Sequence, residues 1–281
     1  MPQVELSAGV VEYEDSGGDG PVLVLLAGLL MDARVWDPLV ELLRGDHRLV
    51  VPTLPLGAHR RPMRADADLS LVGHGRIVAE LLDGLDLRDV TLVQNDHAAA
   101  LVVAGGRPER VARLVITPCE AFENYPPGLA GKNVRVLGFL PGGLYFAAQA
   151  MRVGVLRRSR LGFGALAKRP LPEELLDLWL RPMQTQRGVR RDVRRYVTAA
   201  RRRQMLEVCE RIRRFDRPAL VVWAPEDRVQ RPEHGRRLAD ILPDARLVEL
   251  GDSGTLVMRD QPDRLAEEIR AFVAATAPSA V

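Results

Sequence analysis

Six short apolar runs, each of strand length and separated by segments of helical spacing, constrain this chain more than any other feature. The runs are Val22–Leu26, Leu49–Val51, Thr91–Val93, Val111–Thr117, Ala219–Trp223 and Arg246–Leu250. Strands that are apolar without alternation are buried on both faces, which is the habit of parallel sheets. Helical patterns fill the intervals at Val35–Leu43, at 71–86 (Leu71, Ile77, Val78, Leu81, Leu82, Leu85), from His97, at 234–242 and at Asp263–Ala274. Strands alternating with helices predict an α/β fold: a mostly parallel sheet flanked by helices, with ligands at the carboxyl ends of the strands. A chain of 281 residues, 47% hydrophobic and 27% charged, is long enough to bury such a core without disulfides or metals.

The alternation stops at Pro126-Pro127 and resumes near Ala219. The expected organisation is therefore a core domain of residues 1–125 and 215–281, with 126–214 inserted as a helical lid over the sheet edge. Charge divides the same way. Net charge is +3, yet residues 132–214 hold 20 Lys and Arg against 6 Asp and Glu. Such an excess can mark a nucleic-acid or anionic-lipid footprint, but no zinc finger, recognition helix or aromatic-interleaved basic motif accompanies it. The plain reading is a solvated, arginine-rich helical surface, with no nucleic-acid partner. Cys119 and Cys209 are far apart and lack metal-ligand spacing, so neither a disulfide framework nor a metal site is expected, and a reducing cytoplasm fits. The segment Met1–Val11 has no leader pattern, and no apolar run has membrane-spanning length. No P-loop or GxGxxG opening a helix occurs, so no cofactor is expected. A homodimer stays open.

The chemistry concentrates at Leu92-Val93-Gln94-Asn95-Asp96-His97-Ala98-Ala99-Ala100. Here an apolar strand turns directly into a small-residue helix with an acid at the turn. A side chain on such a turn is held at the open edge of the sheet, and the following N–H groups are expected to point at what it engages.

In these residues the chain resembles the α/β-hydrolase superfamily, specifically its aspartate-nucleophile branch of haloalkane dehalogenases and epoxide hydrolases. The resemblance covers nearly the whole chain. It places the nucleophile on Asp96, although both glycines of the family's elbow are missing. The loop Ala27-Gly28-Leu29-Leu30 then implies an oxyanion site made by the backbone N–H groups of Leu29 and His97. Two acid positions are filled, by Asp227 after the late strand and by Glu120 after the preceding one, with Asp227 the better match. The decisive departure is at Gly251–Met258, where the family's catalytic histidine falls on Thr255. A hydroxyl cannot accept a proton from water as imidazole does. The ester formed by attack of Asp96 would stall unless His97, next in sequence, serves as the base. His59 is a more distant candidate, read as a surface-loop residue.

The resemblance disfavours dehalogenation, because the halide-binding Trp falls on His97 and the second halide donor on an aliphatic Leu. Epoxide opening stays open, since the epoxide hydrolases hold the ring oxygen with lid tyrosines and the insertion contains Tyr145 and Tyr196, with Tyr125 at its start, although tyrosines there also serve ordinary amphipathic packing. The insertion's apolar stretches, including Leu178-Trp179-Leu180, and the Leu29-Leu30-Met31 floor predict a greasy pocket for a bulky apolar small molecule. Leu30, Tyr125, Tyr145, Trp179 and Tyr196 are the expected substrate contacts. Three functions compete. The first is non-hydrolytic acid–base chemistry through Asp96 (elimination, rearrangement or cyclisation). The second is an Asp-nucleophile hydrolase, most plausibly of an epoxide. The third is a catalytically silent ligand-binding protein.

Overall fold

The apolar runs of the sequence are strands, and all but the last are covered on both faces. The computed structural model describes residues 1–106 and 109–277. Among these, the strands in chain order are β1 (Gln3–Leu6), β2 (Gly9–Asp15), β3 (Val22–Leu26), β4 (Arg48–Pro52), β5 (Val90–Asp96), β6 (Val111–Cys119), β7 (Ala219–Trp223) and β8 (Ala245–Glu249). The helices are α1 (Asp37–Leu43), α2 (Leu71–Gly84), α3 (Ala99–Gly105), α4 (Gly128–Phe139), α5 (Gly143–Ala150), α6 (Gly154–Arg157), α7 (Glu173–Thr185), α8 (Arg187–Ala199), α9 (Arg202–Arg211), α10 (Pro232–Ile241), α11 (Val257–Asp260) and α12 (Pro262–Ala275).

One sheet of order β1-β2-β4-β3-β5-β6-β7-β8 results. From β4 to β8 every neighbouring pair is parallel. The period-2 direction of strand side chains sorts each apolar run onto two faces. Val24 and Leu26 of β3 join one core cluster, while Leu23 and Leu25 join the other. The same split holds in β7, with Val221 and Trp223 on one side and Leu220 and Val222 on the other. Removing each such side chain from water stabilises the fold by about 1.5–3 kcal/mol, which is why these strands carry no polar alternation. Helices α2, α3 and α10 cover the first face, and α1, α11 and α12 the second.

Two departures from the sequence reading occur at the edges of the sheet. Residues Gln3–Asp15 form an antiparallel ribbon, β1–β2, which joins β4 at the sheet edge; its polar–apolar alternation lacks the continuous apolar signal. At the opposite edge β8 is only partly buried. The helices α4 to α9 stand between β6 and β7 in sequence. Within them, α4 packs on α5 and α8, α5 on α7, and α9 on α3. Among the described residues, no helix is long and apolar enough to cross a membrane.

Candidate active site

Strand β5 continues through Asn95 to Asp96, beyond the apolar run, and the pairing with β6 slips there: Gln94 faces Ile116, but Asp96 faces Cys119. Such an irregularity re-aims the end of a strand. At Asp96 the backbone enters the left-handed region, with φ 61°, and the His97 N–H donates to the Asn95 carbonyl at 2.7 Å. This is a γ-turn of the rare positive-φ kind. Leu30 (φ 63°), which lines the same cavity as Asp96, is also left-handed, so two non-glycine residues with costly backbones border one place. Strain of this sort persists where surrounding structure imposes it, and clusters at functional sites.

Asp96 is only 8% exposed. Its Oδ2 accepts the Leu29 N–H at 3.1 Å, and its Oδ1 accepts the side-chain amide of Gln230 at 3.2 Å. Gly28 is required for this approach, since a Cβ there would lie 2.2 Å from Asp96 Oδ2. Burial raises the Asp96 pKa, and the Leu29 and Gln230 donors offset part of the rise.

Asn95 and Gln94 brace the turn. The Asn95 side-chain amide donates to Thr117 Oγ1 at 2.9 Å and to the Thr255 carbonyl at 2.6 Å, joining the ends of β5 and β6 to the loop before α11. Gln94 Oε1 accepts the Ala100 N–H at 2.9 Å, and His97 Nδ1 accepts the Ala99 N–H at 3.1 Å. These side chains cap α3. The expectation that the N–H groups after Asp96 face a ligand is corrected accordingly: those of Ala99 and Ala100 are taken by side chains, and that of His97 by Asn95. Of the two expected oxyanion donors, Leu29 reaches the carboxylate.

His97 is buried with its ring 5.0 Å from those of His74 and Tyr196, and it does not line the cavity beside Asp96. Desolvation, then the neighbouring His74, holds its pKa well below the ordinary value, so the imidazole is neutral. His59 is also buried, against its expected surface position. Its Nδ1 accepts the Gly57 N–H and its Nε2 lies 3.3 Å from Asp192, tying the loop after β4 to α8.

A cavity of about 620 Å³ opens over Asp96, with Glu120, Asp227, Tyr125 and Tyr196 in its wall and an apolar lining that includes Leu30, Val134, Leu144 and Met183. No histidine is among its described lining residues. Glu120 is 5% exposed; its Oε2 accepts the Tyr196 O–H at 2.8 Å. Burial, and then the charge of Asp96, pushes its pKa well above the usual carboxylate range. Tyr125 is buried, with its hydroxyl beside that of Tyr196. Asp227 accepts the Val229 and Gln230 N–H groups at 2.7 and 3.0 Å and the Thr255 hydroxyl at 2.8 Å. Burial raises it to about 6 against those donors. Among the described residues no group of three His, Cys, Asp or Glu is placed to hold a metal ion.

Two expected contacts lie elsewhere. Trp179 is fully buried and its indole N–H donates to Asp32 at 2.8 Å, which pins α7 to the loop after β3. Tyr145 is 42% exposed on the outer surface, its ring beside Phe146. Gln230 was not legible in advance, because an amide in a loop has no pattern until the fold brings it to Asp96.

With this geometry in view, the relatives can be compared. The sequence matches the Alpha/beta hydrolase family over residues 23–268. It is similar to an uncharacterized hydrolase, YugF, of Bacillus subtilis (strain 168), at 24% identity across 94% of each chain. A haloalkane dehalogenase of Mesorhizobium japonicum is 30% identical, over 44% of this chain and 41% of its own. Among solved structures, a putative ancestral haloalkane dehalogenase, AncHLD2, superposes with a TM-score of 0.76 at 20% identity, covering 98% of this chain and 99% of its own. That likeness concerns the fold. The family match over most of the chain, joined to the sheet order and the strained turn after β5, means that this chain belongs to the alpha/beta hydrolase family.

Proposed function

We propose that this enzyme of the α/β-hydrolase type carries out acid–base chemistry on a bulky apolar small molecule, with Asp96 as base and Glu120 as acid. Residues 126–214 are read as the lid that roofs the reaction over the core of 1–125 and 215–281. The observation that carries the proposal is that Asp96 and Glu120 stand in one cavity wall, among whose described residues there is no imidazole. A base acts best with a pKa near the working pH, and burial moves Asp96 that way. Glu120, kept protonated by desolvation and by the Asp96 charge, can return a proton to the substrate. Together they support elimination, rearrangement or cyclisation, none of which needs an activated water. His97, turned away and engaged with α3, is not part of this pair.

A specific observation favours a second reading, attack of Asp96 on an epoxide. The neighbouring phenols of Tyr125 and Tyr196 share the cavity wall with Asp96, and a pair of phenols can hold a ring oxygen. Dehalogenation gains no such support, because Leu29 and Leu30 offer no side-chain donors and the His97 ring lies off the cavity.

The test is incubation with a panel of epoxides, activated esters and apolar substrates in ¹⁸O-water and in D₂O, with intact-mass analysis of the protein. Product carrying solvent deuterium, no solvent oxygen and no adduct supports the proposal. An adduct on Asp96, or solvent oxygen in the product, supports the nucleophilic reading instead. Full turnover by Asp96→Asn would defeat both.

A further inference from the structure

The outer side of the inserted helices carries apolar side chains that none of the described residues covers. Along α4, the turn that follows it and α5, Val136, Phe139, Leu140, Tyr145 and Phe146 are 42 to 69% exposed. They are neighbours in space. Helix α4 packs on α5, the rings of Tyr145 and Phe146 are 5.5 Å apart, and Phe146 lies against the turn at Gly142. A surface that gathers large apolar side chains this way marks an interaction site. Leu129, two helical turns before Val136 on the same stripe of α4, is 59% exposed and also lines the cavity of Asp96. The patch therefore runs to the cavity rim.

Cations border it. The Arg135 guanidinium sits 5.6 Å over the Phe139 ring, and that of Arg190 5.0 Å over Tyr145. A groove between α8 and the α4–α5 turn is lined by Arg187, Arg190, Arg191 and Arg194 together with Leu140 and Tyr145. Arg187 and Arg194 are exposed, and among the described residues neither has an ion-pair partner. Counter-charge is missing locally: residues 124–172 contain eight Lys and Arg and no Asp or Glu. The acid of α8, Asp192, is buried; it accepts the Met63 N–H at 2.7 Å and pairs with Arg191 at 2.8 Å, so it neutralises that one groove arginine and leaves Arg187 and Arg194 without an acid.

We infer that this face docks on an anionic lipid bilayer. The apolar side chains enter the boundary between headgroups and acyl chains, and the arginines of the groove take lipid phosphates through charge-assisted hydrogen bonds. Charge selects this occupant. A second copy across a two-fold axis would set the arginine groove near itself, and a nucleic acid would meet the cations while leaving Phe139, Leu140 and Phe146 in water. The inference is independent of the reaction at Asp96.

Co-sedimentation of the full chain with phosphatidylcholine vesicles, with and without phosphatidylglycerol, tests it at low and high salt. Two arginines near an anionic surface give at least about tenfold preference for the phosphatidylglycerol vesicles, weakened by salt. Arg187→Gln/Arg194→Gln removes that preference. Phe139→Ser/Phe146→Ser lowers partitioning by about tenfold, with an unchanged melting temperature because both side chains are exposed. Any of three results overturns the inference: no partitioning onto the anionic vesicles, partitioning indifferent to the Phe substitutions, or a dimer or a DNA complex that forms in place of vesicle binding.

Discussion

The Thr255 hydroxyl stands 2.8 Å from Oδ2 and 3.1 Å from Oδ1 of Asp227, in the place where the family resemblance puts an imidazole. A hydroxyl there can donate to the carboxylate but cannot take a proton from water near neutral pH. The absence of a histidine from the described wall of the cavity gives this pair its consequence.

Thr255→His restores a base beside Asp227. The site is fully buried, so the larger ring costs about 1–3 kcal/mol of stability. The expected gain is incorporation of ¹⁸O from water into product or carboxylate, which the proposed reaction of the native chain does not produce. A folded Thr255→His protein that gains no solvent oxygen would show that Thr255 does not stand at the hydrolytic position.

Asp227 links stability to pH. Its pKa rises on folding to about 6, so the folded state holds its proton more tightly than the unfolded state. This group's contribution is full below about pH 4, near the unfolded carboxyl value, and is lost as pH rises through about 6. Asp227→Asn mimics the protonated form. The expectation is a variant more stable than the native chain at pH 8, by about 2–3 kcal/mol at most, with the difference vanishing in acid. Urea denaturation at the two pH values measures it.

Gln230 is a positioning residue for Asp96. Its amide donates to the charged carboxylate, which holds the Asp96 pKa down against burial. Gln230→Leu removes that donor, so the acidic limb of the kcat profile should move to higher pH by about one unit. An unmoved limb with a lowered plateau would assign Gln230 a packing role alone.

Trp179 should matter to stability and not to turnover. Trp179→Phe removes the N–H held by Asp32 and leaves a buried acceptor short of one donor, at a cost of about 1–3 kcal/mol. A melting curve and kcat on any identified substrate separate the two effects. A changed kcat at full folding would return Trp179 to the substrate contacts.

The strands at Val22–Leu26 and Ala219–Trp223 were legible because burial on two faces demands an apolar residue at every position. The ribbon at Gln3–Asp15 was not, because an edge exposed to water permits alternation and polar residues. The turn at Asp96 was legible from composition, an acid closing an apolar run ahead of small residues. What His97 does there was not. Sequence adjacency to Asp96 suggests a partner in chemistry, but a positive-φ turn sends consecutive side chains in different directions, and the first N–H groups of α3 needed acceptors.

By itself, then, the sequence determined the parallel core, the carboxylate at the end of β5 and the hydroxyl at Thr255, because periodicity and residue type are local properties. Only the tertiary structure decided that Gln230 reaches Asp96, that Glu120 meets Tyr196, that Trp179 is a bolt and not a wall, and that arginines of α8 flank the aromatics of α4 and α5. Each of these joins residues far apart in the chain. Their proximity follows from how the helices pack on the sheet and on each other, which no single segment encodes.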